Sequence, residues 1–298
     1  MAFIIGVDGG GTKTEAAAYH MGGNKLAEGR SSYGNVLINR KGAVRHIIAA
    51  INQCVNQLLL EECRFIYIGL AGLGGVEDPD SISREIQELF RVPTKVVNDG
   101  VIAHAAMLKG KDGILTISGT GSVSIGRSKG VYHLAGGWGH LLGDEGSGYW
   151  IAMQAYKKVI QESERMQHYS QLSMSILDRH EIKEAEELKK FIYAATKGEI
   201  AALVPLIKNL AENGDEMAGS ILHQAGVLLA EQTLLLWNKV GFQNYGTIAV
   251  KGSVLSKIPM VLSAFEEKCA SIKKEAKFMV EDLSSTLGGF YLAMDEIK

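Results

Sequence analysis

The chain has 298 residues, of which 46% are hydrophobic and 21% are charged, and its formal net charge is −2. This is the balance of an ordinary soluble globular protein, and the length suits two domains. It provides neither a basic surface for nucleic acid nor the run of roughly 20 apolar residues that a membrane helix needs. The sequence enters a strand at once, without a basic and cleavable leader, so we expect a cytoplasmic protein.

The first element is the stretch IIGVDGGGTKTEAAAY (residues 4–19), in which an apolar run leads into three glycines. It does not fit a Walker A loop, because the closing pair is Thr12-Lys13, nor a dinucleotide fingerprint, whose third glycine would fall on Thr14. The next residues are strand-like, so the glycines are predicted to form a turn between two strands. Such a turn can offer backbone N–H groups and threonine hydroxyls to a phosphate, or it can be an ordinary glycine-rich hairpin.

Helices and strands then alternate through the first half. An amphipathic helical stretch contains Cys54, which we expect to be buried. The strands FIYIGL and TKVVN follow, and the second leads into a helix for which Asn98 and Asp99 are well placed as capping residues.

The cysteines give no sign of a metal cluster. Cys54, Cys63 and Cys269 are odd in number and form no CxxC pair, so structural zinc, an iron–sulfur cluster and a disulfide framework are not predicted. His140 has no second histidine at metal-ligand spacing, and we interpret it as a hydrogen-bonding residue.

The second half repeats the first. The strand–turn–strand pattern at Ile4 recurs at Ile114, whereas the patterns at Phe65 and Thr94 recur about 182 residues later. The additional length falls between about 148 and 240, where helical periodicity dominates. The sequence therefore predicts two homologous α/β halves, 1–112 and 113–298, with glycine turns that face one cleft and a helical insertion in the second half.

Five motifs in order carry a family resemblance: DGGGTKT (8–14), NDG (98–100), TISGTGS (116–122), GGWGHLLGDEGSGYW (136–150) and VKGSV (250–254). The chain resembles the actin-like ATPase superfamily and, within it, the N-acetylglucosamine kinase branch of the BadF/BadG/BcrA/BcrD ATPase family. The resemblance implies two ribonuclease-H-like halves with an interdomain cleft. It also implies that a final helix, from about Ser285 to the end, packs back on the first half.

The resemblance assigns ATP and Mg²⁺ as cofactors. Asp8 matches the family's acidic residue near Mg²⁺, which it would hold through water, and this suits the preference of Mg²⁺ for carboxylates and retained waters. Gly252 and Ser253 lie where the family places adenosine, although Lys251 stands where the family has the first glycine of a pair. The residues that would hold the phosphates are Gly10, Gly11, Thr12 and Thr14 on one side and Gly119, Thr120 and Gly121 on the other.

The resemblance also assigns the sugar site. Asp99 would be the catalytic base and would contact the sugar, since phosphoryl transfer to a hydroxyl needs a carboxylate that accepts its proton. The alternative role for Asp99 is that of a simple helix cap. Asp144 has the same alternative, because the segment from Asp144 to Ser147 also resembles the start of a helix. The other residues implied to contact the sugar are Asn35, Ser122, Gly137, Trp138, Gly139 and Asp144.

The implied activity is ATP-dependent phosphorylation of an amino sugar, with N-acetylglucosamine and its 6-hydroxyl as first choice. Glucosamine, N-acetylmannosamine and N-acetylmuramic acid are alternatives, as is an ATPase that activates a protein partner. The partner-activating members need cysteines that hold an iron–sulfur cluster, and the second half contains only Cys269. A homodimer through the second half is also implied.

Overall fold

The computed structural model describes residues 1–242, 245–273 and 275–297. The chain divides into two compact units, Met1–Asp112 together with Asp282–Lys298, and Gly113–Glu281. Each unit contains a five-stranded sheet with helices, so the prediction of an α/β fold is confirmed.

The sheet of the first unit has the strand order β3-β2-β1-β4-β5. Its strands are β1 (Phe3–Gly9), β2 (Thr14–His20), β3 (Lys25–Ser31), β4 (Cys63–Leu70) and β5 (Thr94–Asn98). Strands β1, β4 and β5 pair in parallel, and β2 pairs antiparallel with both β1 and β3, so the predicted glycine turn between two strands is confirmed. The apolar run of β1 is buried on both faces, as expected for a central strand.

Four helices cover this sheet: α1 (Arg40–Val55), α2 (Asp80–Phe90), α3 (Asp99–Met107) and α12 (Thr286–Glu296). Alternate residues of β1 enter two cores, one with α1 and α2 and the other with α3 and α12. Cys54 is fully buried on α1, as predicted, and burial raises the pKa of its thiol to about 11.

The C-terminal helix α12 approaches the sheet and α3 closely. A side chain at Gly6 would collide with the carbonyl oxygen of Thr286, and one at Gly288 would collide with that of Ile102. At the far end of α12, Glu296 forms an ion pair with Lys95 of β5 at 2.6 Å. Glycine is therefore required at positions 6 and 288 for α12 to pack against β1 and α3.

The sheet of the second unit has the order β10-β9-β6-β7-β8. Its strands are β6 (Gly113–Ser118), β7 (Ser122–Ser128), β8 (Val131–Gly136), β9 (Tyr245–Lys251) and β10 (Glu275–Val280). Again three strands, β6, β9 and β10, pair in parallel, and β7 pairs antiparallel with both β6 and β8. When β6 is aligned with β1, the two sheets have the same strand order, which confirms the internal repeat.

The helices of the second unit include the predicted insertion. They are α4 (Gly148–Glu164), α5 (Gln171–Arg179), α6 (Glu187–Ala194), α7 (Lys197–Ala201), α8 (Val204–Glu212), α9 (Glu216–Lys239), α10 (Ser253–Lys257) and α11 (Pro259–Ile272). The long helix α9 packs on the sheet and on α11, and its Thr233 hydroxyl bonds the Thr116 hydroxyl at 2.6 Å. Within the described residues, no helix combines the length and apolar character that would let it cross a bilayer.

Replacement of Gly288 by alanine is expected to destabilise the protein by about 1–3 kcal/mol, because the added methyl group overpacks the α3–α12 contact. Urea denaturation should show a lower midpoint. Gly219→Ala is the matched control, since a methyl group there meets only Met260 Sδ at 3.7 Å and alanine favours a helix. Equal midpoints for the two variants would contradict the close packing of α12.

Candidate active site

The glycine turn of the first unit is anchored on both sides. The N–H of Gly10 donates to the carbonyl oxygen of Lys13 at 2.9 Å, and the carbonyl oxygen of Gly10 accepts from Gly34 N–H at 2.8 Å. Gly11 and Thr12 form the exposed tip. Since the N–H of Gly10 is used within the turn, donors for an anion must come from the tip.

Thr14 lies beneath this turn instead of at its tip. Its side chain is fully buried, and within the described part of the chain its hydroxyl oxygen has no hydrogen-bond partner. A side chain at Gly34 would come within 2.8 Å of that oxygen and 2.5 Å of Gly9 Cα. Thr14 and Gly34 therefore fill the floor of the turn.

Asp8 and Asp99 lie at the carboxyl ends of two parallel strands of the first unit, β1 and β5. Asp8 pairs with Glu15 across β1 and β2 and with Gly69 across β1 and β4, so these positions share one face. A side chain at Gly69 would collide with Ile102 and would lie 3.3 Å from Asp99 Cα. The bare backbone at Gly69 thus gives α3 the room to bring Asp99 to the same face as Asp8.

Glu15 is a residue of this edge that sequence reasoning missed. Its carboxylate pairs with Lys13 Nζ at 2.9 Å and Arg30 Nε at 3.4 Å. Like charges directly opposite on neighbouring strands repel, and these two cations offset the repulsion between Glu15 and Asp8. The hairpin register, with Gly9 opposite Thr14, could have indicated the pairing.

Asp99 is the first residue of α3, and the cap is its neighbour Asn98. The Asn98 side chain accepts from Gly100 N–H at 2.9 Å, and Asp99 Oδ1 accepts from the same group at 3.0 Å. Burial is the main influence on the Asp99 carboxyl and raises its pKa, while the backbone hydrogen bonds partly oppose this. A carboxylate with a raised pKa is a stronger base, which suits proton abstraction.

Asn35 lies in the loop between β3 and α1, next to the end of β4. Its Oδ1 accepts from Leu37 N–H at 3.0 Å and would lie 2.5 Å from a side chain at Gly72. The N–H of Val36 donates to the carbonyl oxygen of Ala71 at 3.2 Å. These contacts hold the Asn35 loop at the edge of the sheet that carries Asp8 and Asp99.

The second unit has its own turn, after β6. The N–H of Gly119 donates to the carbonyl oxygen of Gly121 at 3.0 Å, and the carbonyl oxygen of Gly119 accepts from Gly148 N–H at 2.7 Å. Gly252 approaches the same turn with φ +94°, where a side chain would collide with the carbonyl oxygen of Ser118. Glycine is required at 252 by both the backbone angle and the space.

A cavity of about 440 Å³ opens beside this turn. Three of the residues predicted to bind nucleotide line it, namely Gly119, Thr120 and Ser253. The rest of its wall comes mainly from small and basic residues of the helices, which sequence reasoning missed: Gly148, Gly198, Ala201, Ala202, Val204, Pro205, Lys208, Val254, Lys257 and Ile258. The volume lies in the range of small-molecule and cofactor sites.

The loop between β8 and α4 contains four of the residues predicted to contact the sugar, Gly137, Trp138, Gly139 and Asp144. Gly137 and Gly139 have φ values of +74° and +83°, and Gly137 N–H donates to the carbonyl oxygen of Ser122 at 3.1 Å. Between the two glycines, the Trp138 side chain is 74% exposed. The loop thus presents an aromatic plane to solvent on a tightly turned backbone.

Asp144 is almost completely buried in the same loop, with 3% exposure and φ +64°. Its Oδ1 accepts from Ser122 N–H at 3.1 Å, and its Oδ2 pairs with Lys197 Nζ at 2.5 Å. The cap of α4 is Ser147, whose hydroxyl accepts from Trp150 N–H at 3.2 Å. Lys197 was not found from the sequence, because it comes from α7, 53 residues further along the chain.

His140 packs edge-on against Tyr149, with 4.8 Å between ring centroids. In the described ranges, no group of three or more histidine, cysteine or acidic side chains is arranged to hold a metal ion. A larger cavity of about 770 Å³ lies in the helical insertion, and His140, Tyr149 and Lys197 are part of its wall.

Duplicated sheets with glycine turns at the ends of their parallel strands define a two-unit α/β protein of the sugar-kinase fold. The same fold occurs in the crystal structure of a Chromobacterium violaceum protein described as a candidate N-acetylglucosamine kinase. The two structures superimpose with a TM-score of 0.76 at 22% identity, over 98% of this chain and 99% of the other.

The sequence profile of the BadF/BadG/BcrA/BcrD ATPase family matches residues 5–279, and the chain belongs to this family. It is 32% identical over 304 residues to an N-acetylmuramic acid/N-acetylglucosamine kinase of Clostridium acetobutylicum, covering 99% of each chain. It is also 25% identical over 316 residues to an N-acetyl-D-glucosamine kinase of Dictyostelium discoideum, covering 99% of this chain and 98% of the relative.

Substitution of Asp99 by asparagine is expected to stabilise the folded protein at neutral pH. The raised pKa of Asp99 means that the folded state disfavours the charged carboxyl. The carboxyl group therefore favours folding below its unfolded pKa. This contribution to the unfolding free energy is lost as the pH rises through the folded pKa. The gain in unfolding free energy from Asp99→Asn should therefore be largest near neutrality. It should shrink as the pH approaches the ordinary carboxyl value of 3.8.

Urea denaturation across this pH range measures the effect. Glu88→Gln is the control, since Glu88 is an exposed carboxylate on α2 of the same unit and its loss should change the unfolding free energy by less than about 0.5 kcal/mol. A destabilised Asp99→Asn protein at neutral pH would show that the Asp99 carboxylate stabilises the fold.

Proposed function

We propose that this protein is an ATP-dependent amino-sugar kinase that transfers the γ-phosphoryl group of ATP to the 6-hydroxyl of N-acetylglucosamine. The observation that carries the proposal is the partly buried Asp99, positioned by Gly69 at the sheet edge that also holds Asp8. The substrate class is supported by the near full-length similarity to two curated amino-sugar kinases.

In the proposed reaction Asp99 orients the sugar hydroxyl and accepts its proton as the hydroxyl oxygen attacks the γ-phosphorus. Its raised pKa increases its basicity, and its place on the first turn of α3 fixes its direction. The proton therefore moves from the hydroxyl oxygen to a carboxylate oxygen of Asp99, while ADP leaves with the electrons of the broken P–O bond.

The donors proposed for the phosphates are the exposed tip of the first turn, Gly11 and Thr12, and the second turn with Thr120. Mg²⁺ is held in proteins by one or two carboxylates together with waters and substrate phosphates, and it neutralises phosphate charge when bound. Asp8 suits this donor set, acting through water, while the neighbouring Glu15 on the same face is paired with Lys13 and Arg30. Thr14 supports the turn from below.

The proposed sugar contacts include both polar groups and an aromatic plane. Asn35 supplies an amide, Gly137 and Gly139 hold the backbone of the loop, and the exposed Trp138 offers an apolar face to the sugar ring. Asp144 and Ser122 form a buried pair that shapes the loop. N-acetylmuramic acid and glucosamine differ from the first choice in one substituent and N-acetylmannosamine differs in the configuration at C2, so these three sugars are the nearest alternative substrates.

The proposal is tested by ADP release with Mg-ATP and a panel of these four sugars and glucose. Release that depends on an amino sugar, with a 6-phosphate identified in the product by NMR, is the expected result. Release that is indifferent to every sugar would instead favour an ATPase that serves a protein partner. Sugar binding by calorimetry without ADP release would indicate a sensor, and both outcomes would refute the kinase.

Asp99→Asn is expected to lower kcat by about 10²–10⁴-fold, which is the usual contribution of a general base. Sugar affinity measured by calorimetry should change little, because the amide keeps the shape of the carboxylate and one oxygen that can accept from the sugar hydroxyl. Glu88→Gln should retain the wild-type kcat. Near-normal turnover in Asp99→Asn would show that another group accepts the proton.

Ala202→Phe is expected to raise the KM for ATP about tenfold, because the ring would fill part of the cavity lined by Gly119, Thr120 and Ser253, which we propose holds the nucleotide. The KM for the sugar should stay unchanged. Ala194→Phe is the matched control, since Ala194 is also exposed and ends α6 outside this cavity wall. An unchanged KM for ATP in the Ala202 variant would place the nucleotide elsewhere.

A further inference from the structure

The helical insertion contributes Lys197, which pairs with the Asp144 carboxylate of the β8–α4 loop. Lys197 is the first residue of α7, and this start is fixed by a capping box in which Glu199 N–H donates to Thr196 Oγ1 at 3.3 Å and Thr196 N–H donates to Glu199 Oε2 at 2.7 Å. Ile200, which is 3% exposed, anchors the helix in the core of the insertion. The backbone of Lys197 therefore belongs to the insertion while its side chain reaches the β8–α4 loop.

The partner of Lys197 is a carboxylate that has little access to water. Both oxygens of Asp144 have a partner, one in the N–H of Ser122 and the other in the Lys197 ammonium. An ionised carboxylate can be buried only where it is paired and hydrogen-bonded. Asp144 also has a left-handed backbone angle, which costs free energy in a residue with a side chain. Its partners must therefore hold it in place.

The ammonium group also covers Gly121 of the second turn. A side chain at Gly121 would lie 2.6 Å from Lys197 Nζ and 3.0 Å from Asp144 Oδ2. The ion pair thus occupies the space in which a side chain of the turn would stand. Through this pair, one helix of the insertion touches both the proposed phosphate turn and the proposed sugar loop.

We propose that Lys197 is a positioning residue of the kinase reaction, which acts by holding the Asp144 carboxylate against Ser122 and Gly121. This inference rests on the proposed function, which assigns the loop to the sugar and the turn to the phosphates. Without the lysine, the buried carboxylate has lost its cation and turns towards water. The sugar loop then loses its alignment with the turn.

Lys197→Met is expected to raise the KM for the sugar about tenfold or more, since a displacement of about 1 Å at a site can cost up to 10²-fold. The KM for ATP should stay within about threefold of wild type, and Lys197→Arg should restore the sugar KM because it keeps the charge. Lys189→Met is the matched control, as Lys189 lines the same large cavity but is exposed on α6.

A double-mutant cycle separates positioning from direct contact with phosphate. If Lys197 acts through Asp144, Lys197→Met should change the sugar KM less than about twofold in an Asp144→Asn background. An independent effect in that background, or a rise in the KM for ATP, would overturn the positioning role. Thermal unfolding of each variant identifies any loss of the fold, and the arginine variant keeps the test valid if the methionine variant unfolds.

The amide resonance of Ser122 provides a readout that does not depend on catalysis. Its N–H donates to Asp144, so its ¹⁵N–¹H signal should shift in Lys197→Met and stay in place in Lys189→Met. An unchanged Ser122 signal would refute the inference even if wild-type protein proved inactive. A wild-type protein that phosphorylates no sugar, with a shifted Ser122 signal in the variant, would refute the proposed function and keep the ion pair as the positioning device of the loop.

Discussion

The candidate site of the first unit depends on the missing side chain at Gly69. In a parallel sheet, the residues that follow the strands gather at one edge, but a helix can approach that edge only as closely as the strand side chains permit. At Gly69 the strand is bare, and Ile102 and the backbone of Asp99 occupy the space that a side chain would take. Asp99 is consequently shielded in part from water, and this desolvation is the main cause of the raised pKa of its carboxyl.

The second unit solves a different physical problem, which is how to keep a loop with several left-handed residues in one conformation. Gly136, Gly137 and Gly139 adopt positive φ at little cost, whereas Asp144 does not have that freedom. Hydrogen bonds from Ser122 and an ion pair with Lys197 provide the compensating free energy. Since Lys197 belongs to the insertion, the order of the loop depends on the docking of α7.

Local patterns in the sequence predicted the strands, the hairpin and the internal repeat, because these depend on residues close together in the chain. The breaks between helices inside the insertion are harder to predict from the sequence. The stretch from 171 to 194 forms α5 and α6 with a gap between them, and Pro205 stands at the start of α8. Glu15 could have been found from the hairpin register, since it pairs directly with Asp8. Lys197 and the small residues of the 440 Å³ cavity could not be found from the sequence, because only tertiary packing brings α7 to the turn that contains Gly121.

The duplication also explains why the two units present different chemistry at equivalent positions. At the repeat offset of 110 residues, Asp8 of β1 corresponds to Ser118 of β6. Ser118 directs its hydroxyl to the carbonyl oxygen of Gly146 at 3.0 Å, so a neutral group ends the second strand where a carboxylate ends the first. A carboxylate without a cation beside this turn would repel a polyphosphate, and the Asp144 carboxylate, which would lie 3.0 Å from a side chain at Gly121, is neutralised by Lys197. One copy of the repeat therefore retains acidic groups that suit metal binding and proton transfer, while the other copy carries backbone donors and a paired carboxylate that can lie beside an anion.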